Sequence, residues 1–396
     1  METSFHQSAV YIRAGGKRLI VYLDMSRSLT RRRILQTAAV GSLAAQGVRA
    51  PAAMATNWPI LEGPQTPKIG IGVGVGRMNE ATARKIKQLG VNYVLGGGPR
   101  MPWTTAQLKP MMDTCKAAGL TLGNLMIGGF PKTIYGMPGR DEEIDQVRQS
   151  IRAAGAVGLA VVEYNFYAHR AMEGYYGEEG RSGSGYTAFD YDRMRNLPAL
   201  PEEGAHSLDE MWSRVAYFLK AVVPVAKESG VRLALHPNDP PAPLSRGSGQ
   251  IMGTLAGWKR LVDIVPSPHN GITFDCGVTR EMGEDPVEVC RYFMQKDCIN
   301  HVHYRNVRVR KPYESYAEVF IDEGQVDMFG VMRELVRLKY PRMMYPEHPR
   351  LLDVDKDESP DTAREFKSTY PGGGSYASFA FQVGYARAMM QAALSL

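Results

Sequence analysis

The sequence predicts a (β/α)₈ TIM barrel, the α/β fold in which eight parallel strands close on themselves inside a ring of helices. Three observations predict it. Eight short apolar or β-branched runs alternate with helical patterns of similar length. No Gly-x-Gly-x-x-Gly stretch follows the first run and opens a helix in the dinucleotide-binding way; Gly70, Gly72, Gly74 and Gly76 only imitate one and read as a flexible rim loop. The chain has 396 residues, 44% of them hydrophobic, and α/β barrels of this length form single domains.

The elements follow in order. Residues 57–67 form an extended, proline-bearing lead. The first run, 68–73, precedes a helical pattern over 79–89. The second, 92–95, precedes a helix over 104–118 with Thr104 at its N-cap. The third, 121–127, precedes the charged helix 141–154. The fourth, 159–166, is followed by a long insertion and then a helix over 207–229, whose opening Ser207-Leu208-Asp209-Glu210 reads as a capping box. The remaining pairs are 232–236 with 254–265, 271–276 with 286–296, 299–305 with 326–338, and 342–347 with a last helix at about 375–394. Two insertions stand out: 167–205 is aromatic and glycine-rich, and 353–374 is polar. Loops of this length inside a compact domain are usually functional lids or disordered, and in a barrel both lie over the face where the strands end.

The N-terminal 55 residues read as a separate segment. Their eight basic and two acidic residues account for the whole net charge of +6, so the rest is neutral and the basic balance does not point to nucleic acid. Thr30-Arg31-Arg32-Arg33-Ile34-Leu35-Gln36 matches the twin-arginine export pattern. The weakly apolar stretch 37–47 after it is too short and polar to span a bilayer, and Ala53-Met54-Ala55 offers a small-residue cleavage site. Residues 1–55 are therefore expected to be an export signal, with 1–24 a mis-assigned start if Met25 begins the chain. Residues 56–396 are expected to be one barrel, periplasmic or secreted, with no stable membrane anchor after cleavage. Of the four cysteines, Cys115 and Cys290 sit in amphipathic helical patterns and read as core; no CxxC pair suggests a zinc ribbon or a redox motif.

Barrel active sites sit at the C-terminal ends of the strands. Those ends carry His236, Cys276, His303 and Glu347-His348 on four consecutive strands. Imidazole, thiolate, imidazole and carboxylate on one rim form a site for a divalent transition metal, not for the oxygen-seeking Mg²⁺ or Ca²⁺. Each residue alone has a blander reading as core or rim; their joint placement makes the site. His301 lies deeper on the seventh strand as a second-layer partner, and His269 belongs to a turn. Arg305 is suited either to clamp a substrate carboxylate or to form a rim salt bridge.

At these residues the chain resembles the mannonate dehydratases, within the xylose-isomerase-like barrels. The matching stretches are Tyr164-Asn165-Phe166, His236-Pro237-Asn238-Asp239-Pro240-Pro241, Phe274-Asp275-Cys276-Gly277, His303-Tyr304-Arg305-Asn306, Gly324-Gln325-Val326-Asp327-Met328 and Pro346-Glu347-His348, spread over roughly residues 160–350. The resemblance implies metal ligands at His236, Cys276, His303 and Glu347, substrate contacts at Asn165, Asp239 and Arg305, and an acid/base at His348. It implies Mn²⁺, with Fe²⁺, Co²⁺ or Zn²⁺ compatible with the donors. Departures are Glu347 where the family has Asp, Asn238-Asp239 for Asp-Asp, and Cys276-Gly277-Val278-Thr279 for Cys-Thr-Gly-Ser. The 167–205 insertion replaces an acidic, Trp-rich stretch, and Pro371-Gly372-Gly373 replaces the Pro-Gly-Tyr that supplies a catalytic tyrosine; Tyr370 and Tyr376 are the nearby substitutes, with Tyr376 taken as the catalytic one.

The implied reaction is dehydration of a sugar acid, D-mannonate or a related aldonate, to a 2-keto-3-deoxy acid. Two readings remain beside it: a sugar isomerase or epimerase of the same superfamily, and an exported sugar-binding protein that has lost catalysis. The partner is a small sugar acid or sugar, and a homo-oligomer stays open. Replacing Arg31 and Arg32 by lysine is expected to trap the precursor in the cytoplasm and leave no mature chain beginning near Thr56; normal export of that variant, followed by fractionation and N-terminal sequencing, would overturn the signal reading.

Overall fold

The computed structural model describes residues 8–14, 17–23 and 59–396. The chain divides into two compact units, 1–57 and 58–396. In the first, Ser8–Ala14 and Lys17–Leu23 pair as an antiparallel hairpin; the twin-arginine stretch and the cleavage site lie outside the described residues.

The second unit is a closed barrel of eight parallel strands in sequential order: Lys68–Gly72, Tyr93–Gly97, Thr121–Ile127, Val161–Tyr164, Arg232–Leu235, Asn270–Asp275, Ile299–His303 and Met343–Tyr345. The eighth strand closes on the first through Met343 beside Lys68 and Met344 beside Ile69. Helices at Glu80–Gln88, Thr105–Ala117, Arg140–Ala156, Leu208–Glu228, Leu255–Ile264, Pro286–Gln295, Met328–Arg337 and Tyr376–Leu394 follow the strands in turn. The strand–helix alternation legible in the sequence is thus the fold. Local chemistry sets the helix starts: Thr104 and Ser207 each accept from the third backbone N–H of their helices, and Gln107 and Glu210 reach back to complete capping boxes.

Strand and helix side chains such as Ile69, Val94, Leu122, Val162, Leu233, Ile272 and Val302 fill the layer between barrel and helices, all within 3% exposure. Inside the barrel the sequence places polar groups instead. Asn124 donates to Glu163 at 2.7 Å and Thr273 donates to the other oxygen of Glu163 at 2.7 Å. Barrel interiors are usually packed with branched aliphatic side chains, so this polar layer, in which Asn124 Oδ1 stays unpartnered, marks the floor of a site.

The 167–205 insertion is not a structureless loop. It holds strands at Tyr175–Glu179 and Gly185–Asp190, which join a hairpin after the seventh strand, Asn306–Lys311 and Ser315–Val319, in a four-stranded antiparallel sheet. Alternation along 185–190 explains it. Tyr186 and Ala188 pack with Ala317, Val319 and Phe320 on one face, while Phe189 packs with Tyr175 and Tyr316 on the other. Residues 353–374, read from sequence as a polar loop, contain short helices at Asp353–Lys356 and Pro360–Phe366. The chain after the eighth strand is stitched to the accessory sheet by a bridge from Gly185 to Leu351 and by Thr187 Oγ1 donating to the Pro371 carbonyl at 2.7 Å, while a bridge from Arg350 to Gly373 holds that chain to itself.

Phe189 has no exposed surface, with ring centroids 5.2 Å from Tyr175 and 5.4 Å from Tyr316. Phe189→Ala is expected to destabilise this sheet by about 3 kcal/mol. Hydrogen exchange should then rise over 175–190 while the barrel strands keep their protection; uniform protection would show that the sheet does not depend on this ring.

Candidate metal and acid–base site

The C-terminal ends of the fifth, sixth and seventh strands bring His236, Asp275 and His303 together, with ligand atoms within 4.8 Å of one another. His236 Nε2 lies 3.2 Å from His303 Nδ1, while its Nδ1 is tied to the Pro237 carbonyl at 2.7 Å. His303 Nδ1 stands 3.7 Å from Asp275 and 3.2 Å from Glu347 Oε1. Glu347 therefore adjoins the trio through His303. Its Oε1 is buried and makes no well-directed hydrogen bond, although Arg305 Nε also lies 3.2 Å away. Two imidazoles and two carboxylates with an orphaned buried oxygen fit a divalent metal with ligands about 2.0–2.2 Å from the ion. Glu163, His301 and His303 form a second, deeper group able to hold an ion.

Charge on these groups follows from what surrounds them. Burial alone would lower the His303 pKa, but Glu347, then Asp275 and Glu163, reverse this and hold it well above the usual range. His236 is lowered by burial and by His303. His301, fully buried with neither ring nitrogen hydrogen-bonded, is pushed down to about 4 by burial. Burial would raise Asp275 and Glu347; Arg305 overcomes it for the first, and His303 and His348 for the second, leaving both carboxyls below their ordinary values.

The thiol of Cys276 is not in the group, which corrects the expected ligand set. Side chains alternate at a strand end. Asp275 pairs in register with His303 and Thr273 with His301, so Thr273 and Asp275 face the barrel interior and Cys276 faces away. It is fully buried in the core as the first residue of the short helix Cys276–Glu281, for which Asp275 is the N-cap. The carboxylate that stands with the two histidines, Asp275, sits one residue before the cysteine, and this group offers nitrogen and oxygen without sulfur.

Glu347 and His348 face the same cleft, because the chain bends between them. His348 has φ of +51°, a left-handed conformation that costs a non-glycine residue of the order of 1 kcal/mol. The bend is held from behind. Gln382 donates to the carbonyls of Glu347 at 2.9 Å and His348 at 3.2 Å, and Arg350 Nε donates to the His348 carbonyl at 2.9 Å. The ring of His348 meets Glu318 Oε2 at 2.8 Å through Nδ1, and Nε2 lies 3.5 Å from Glu347 Oε2. Burial would lower its pKa, but Glu318 and Glu347 raise it. Glu318, between His348 and Arg350, is lowered to about 2 against the opposing effect of burial.

The remaining expected residues divide. Asn165 lines a cavity of about 70 Å³ with Met126, Tyr167, Arg170, His236 and Asp239. Asp239 accepts from the Tyr175 hydroxyl at 2.8 Å, and its Oδ2 has no partner. Arg305 is not an open clamp. It is buried, donates to Asp275 at 3.1 Å and Glu281 at 2.7 Å, and has Asp239 and Glu318 within 3.5 and 3.9 Å. Tyr376 does not reach the site: its hydroxyl donates to the Lys85 carbonyl at 2.9 Å and its ring packs on Phe366. Tyr370 is the tyrosine that does, its ring centroid 4.8 Å from that of His348. Tyr370 lines a second cavity, about 570 Å³, with Glu347, His348 and Glu365. Asp275, Glu163, Glu281, Glu318 and Arg170 escaped the sequence reading. Strand alternation alone pointed to Asp275; nothing local marked the others.

The family model described as D-mannonate dehydratase (UxuA) matches residues 199–367. Mannonate dehydratase of Thermotoga petrophila is 29% identical over 316 residues, covering 69% of this chain and 87% of that protein. That of Enterococcus faecalis is 28% identical over 304 residues, covering 67% and 83%. The crystal structure of mannonate dehydratase from Streptococcus suis serotype 2 superposes with a TM-score of 0.73 at 25% identity, covering 83% of this chain and 95% of that one. A xylose isomerase domain protein from Planctomyces limnophilus shares the fold, with a TM-score of 0.52 at 14% identity, covering 84% of this chain and all of that one. The chain has the fold of the xylose-isomerase-like barrels, with a candidate metal centre at its mouth. Within that class it is a relative of the mannonate dehydratases, a mannonate-dehydratase-like hydro-lyase.

The revised ligand set is directly testable. Asp275→Asn is expected to weaken Mn²⁺ binding by at least about 100-fold, since a ligating carboxylate loses its charge. Cys276→Ser should leave metal content unchanged and act only on stability. The reverse pattern in metal analysis of the purified proteins would restore the cysteine.

Proposed function

We propose that this chain is a metal-dependent dehydratase that converts D-mannonate, or a closely related aldonate, to a 2-keto-3-deoxy acid. The observation that carries the reading is His348, turned by a left-handed bend to stand beside Glu347 and the His236–Asp275–His303 trio. Membership of a dehydratase-like lineage gives sugar-acid dehydration; the ligands, the product and the role of each residue are the proposal.

His236, Asp275, His303 and Glu347 would hold the ion. A divalent metal bound there supplies Lewis acidity toward a substrate's carboxylate and neighbouring hydroxyl, acidifying the C2 proton. Glu318 fixes His348 through Nδ1 at 2.8 Å, which leaves Nε2 facing the cleft. From that atom His348 exchanges a proton with the substrate, taking the one on C2 or giving one to the departing C3 hydroxyl. One water leaves, and the enol that remains becomes the 2-keto-3-deoxy acid. Arg350 holds Glu318 ionised and keeps the pair in place. The twin-arginine stretch at Thr30–Gln36 adds a site of action outside the cytoplasm.

Mn²⁺-loaded protein is expected to release a 2-keto-3-deoxy acid from D-mannonate, and chelation should abolish turnover. A product of unchanged mass would make the chain an isomerase or epimerase, and a melting shift without product would make it a binder. His348→Ala should cut turnover by about 10²-fold or more with metal content near wild type; parallel loss of metal would reassign His348 as a ligand.

A further inference from the structure

The residues around the candidate ion line two cavities rather than one. His236 lines the smaller with Asn165, Arg170 and Asp239; Glu347 and His348 line the larger with Tyr370. A direct contact joins residues of the two walls: Arg170 Nη2 donates to the Tyr370 hydroxyl, and the guanidinium carbon lies 5.3 Å from the centroid of that ring. Arg170 belongs to the insertion after the fourth strand and Tyr370 to the segment after the eighth, so the pair spans the barrel mouth.

Three guanidiniums approach this mouth, and they differ in what they have left to give. The Arg305 side chain is 2% exposed and committed to Asp275 and Glu281. Arg350, with no side-chain exposure, donates to Glu318 and to the His348 carbonyl. The Arg170 side chain is 35% exposed. Its Nε donates to the Asp239 carbonyl at 3.3 Å, Nη2 to a neutral phenol, and among the described residues Nη1 has no hydrogen-bond partner. Its nearest carboxylate oxygen, on Asp239, is 3.9 Å away. A guanidinium that lines a cavity and is hydrogen-bonded to a backbone carbonyl and a neutral hydroxyl, but to no carboxylate, is suited to exchange the hydroxyl for a paired, charge-assisted contact with one. The larger cavity is lined by a different cation, the exposed Lys367.

We propose that Arg170 takes the carboxylate of the incoming sugar acid, exchanging its bond to Tyr370 for it. The exchange breaks a contact between residues lining the two cavities, one of which holds His236 and the other His348. This rests on the sugar-acid reading above and assigns the recognition of the acid group to a residue of this chain's own insertion.

The test compares D-mannonate with mannitol, which has the same hydroxyl-bearing length and no carboxylate, as ligands of the Mn²⁺-loaded protein. Arg170→Gln is expected to weaken mannonate binding by about 10- to 100-fold, the scale of losing a hydrogen-bonded charge pair, and to leave mannitol unchanged. Arg170→Lys, which keeps the charge without the fork and guards against misfolding, should recover part of the loss. Tyr370→Phe removes only the bond to be exchanged and should keep or tighten mannonate affinity; Lys367→Gln should not alter it. Equal loss of both ligands in Arg170→Gln, no loss of either, or a loss that falls on Lys367→Gln would overturn the assignment. A wild type that binds mannonate without turning it over would sink the dehydratase reading and leave this comparison intact.

Discussion

Everything at the mouth of this barrel depends on one buried guanidinium. Arg305 is 1% exposed, and Asp239, Asp275, Glu281, Glu318 and Glu347 all stand within 4 Å of it. Ionised carboxylates do not survive together in a low-dielectric interior without a compensating charge. Arg305 is the chief charge that keeps Asp275 below its ordinary pKa against burial; for Glu347 it adds to His303 and His348, while burial still carries Glu281 upward. Arginine suits the task because its fork of donors serves several acceptors at once. Space for it is reserved by Gly277, where a Cβ would lie 2.5 Å from Arg305 Nη1. The burden is therefore shared between a charge and an absence: a side chain at 277 would push the arginine off the acids it holds.

The barrel was legible because its signal is repeated. Eight strand–helix alternations, the capping box at Ser207, the N-cap at Thr104 and the histidines at strand ends each rest on short-range patterns, and a periodic pattern tolerates boundary errors of a residue or two. The same tolerance does not extend to ligands. Cys276 was chosen over Asp275 because a thiol at a strand end is chemically conspicuous, yet the period of two decides which neighbour faces inward. The pair 347–348 failed in the opposite sense: alternation predicts opposite faces, and a left-handed residue puts both on one. That bend is imposed by Gln382 and Arg350, the first of them distant in sequence, so no local reading finds it.

The accessory sheet was hidden for a related reason. Its strands come from segments after the fourth and seventh barrel strands and are short, aromatic and glycine-bearing. Each resembles a loop until its partner is known. Paired, they bury Phe189, Tyr175 and Tyr316 on one face and Tyr186, Ala188 and Val319 on the other. They also carry Glu318, which orients His348, and Tyr175, which donates to Asp239. Residues that tune the chemistry thus lie on an element that the barrel pattern does not contain.

That sheet has a consequence for how the mouth moves. Loops around a barrel rim ordinarily fluctuate one by one, each on its own nanosecond clock. Here the segments after the fourth, seventh and eighth strands share ladder hydrogen bonds, from Tyr175 through Gly185 to Leu351 and Gly373. Cross-linked in this way, they lose independent freedom, and a wide opening of the mouth has to carry all three together. Collective rearrangements of that kind belong to the microsecond-to-millisecond range. The three segments are therefore one panel over the mouth, and its cohesion is that of a small β-sheet.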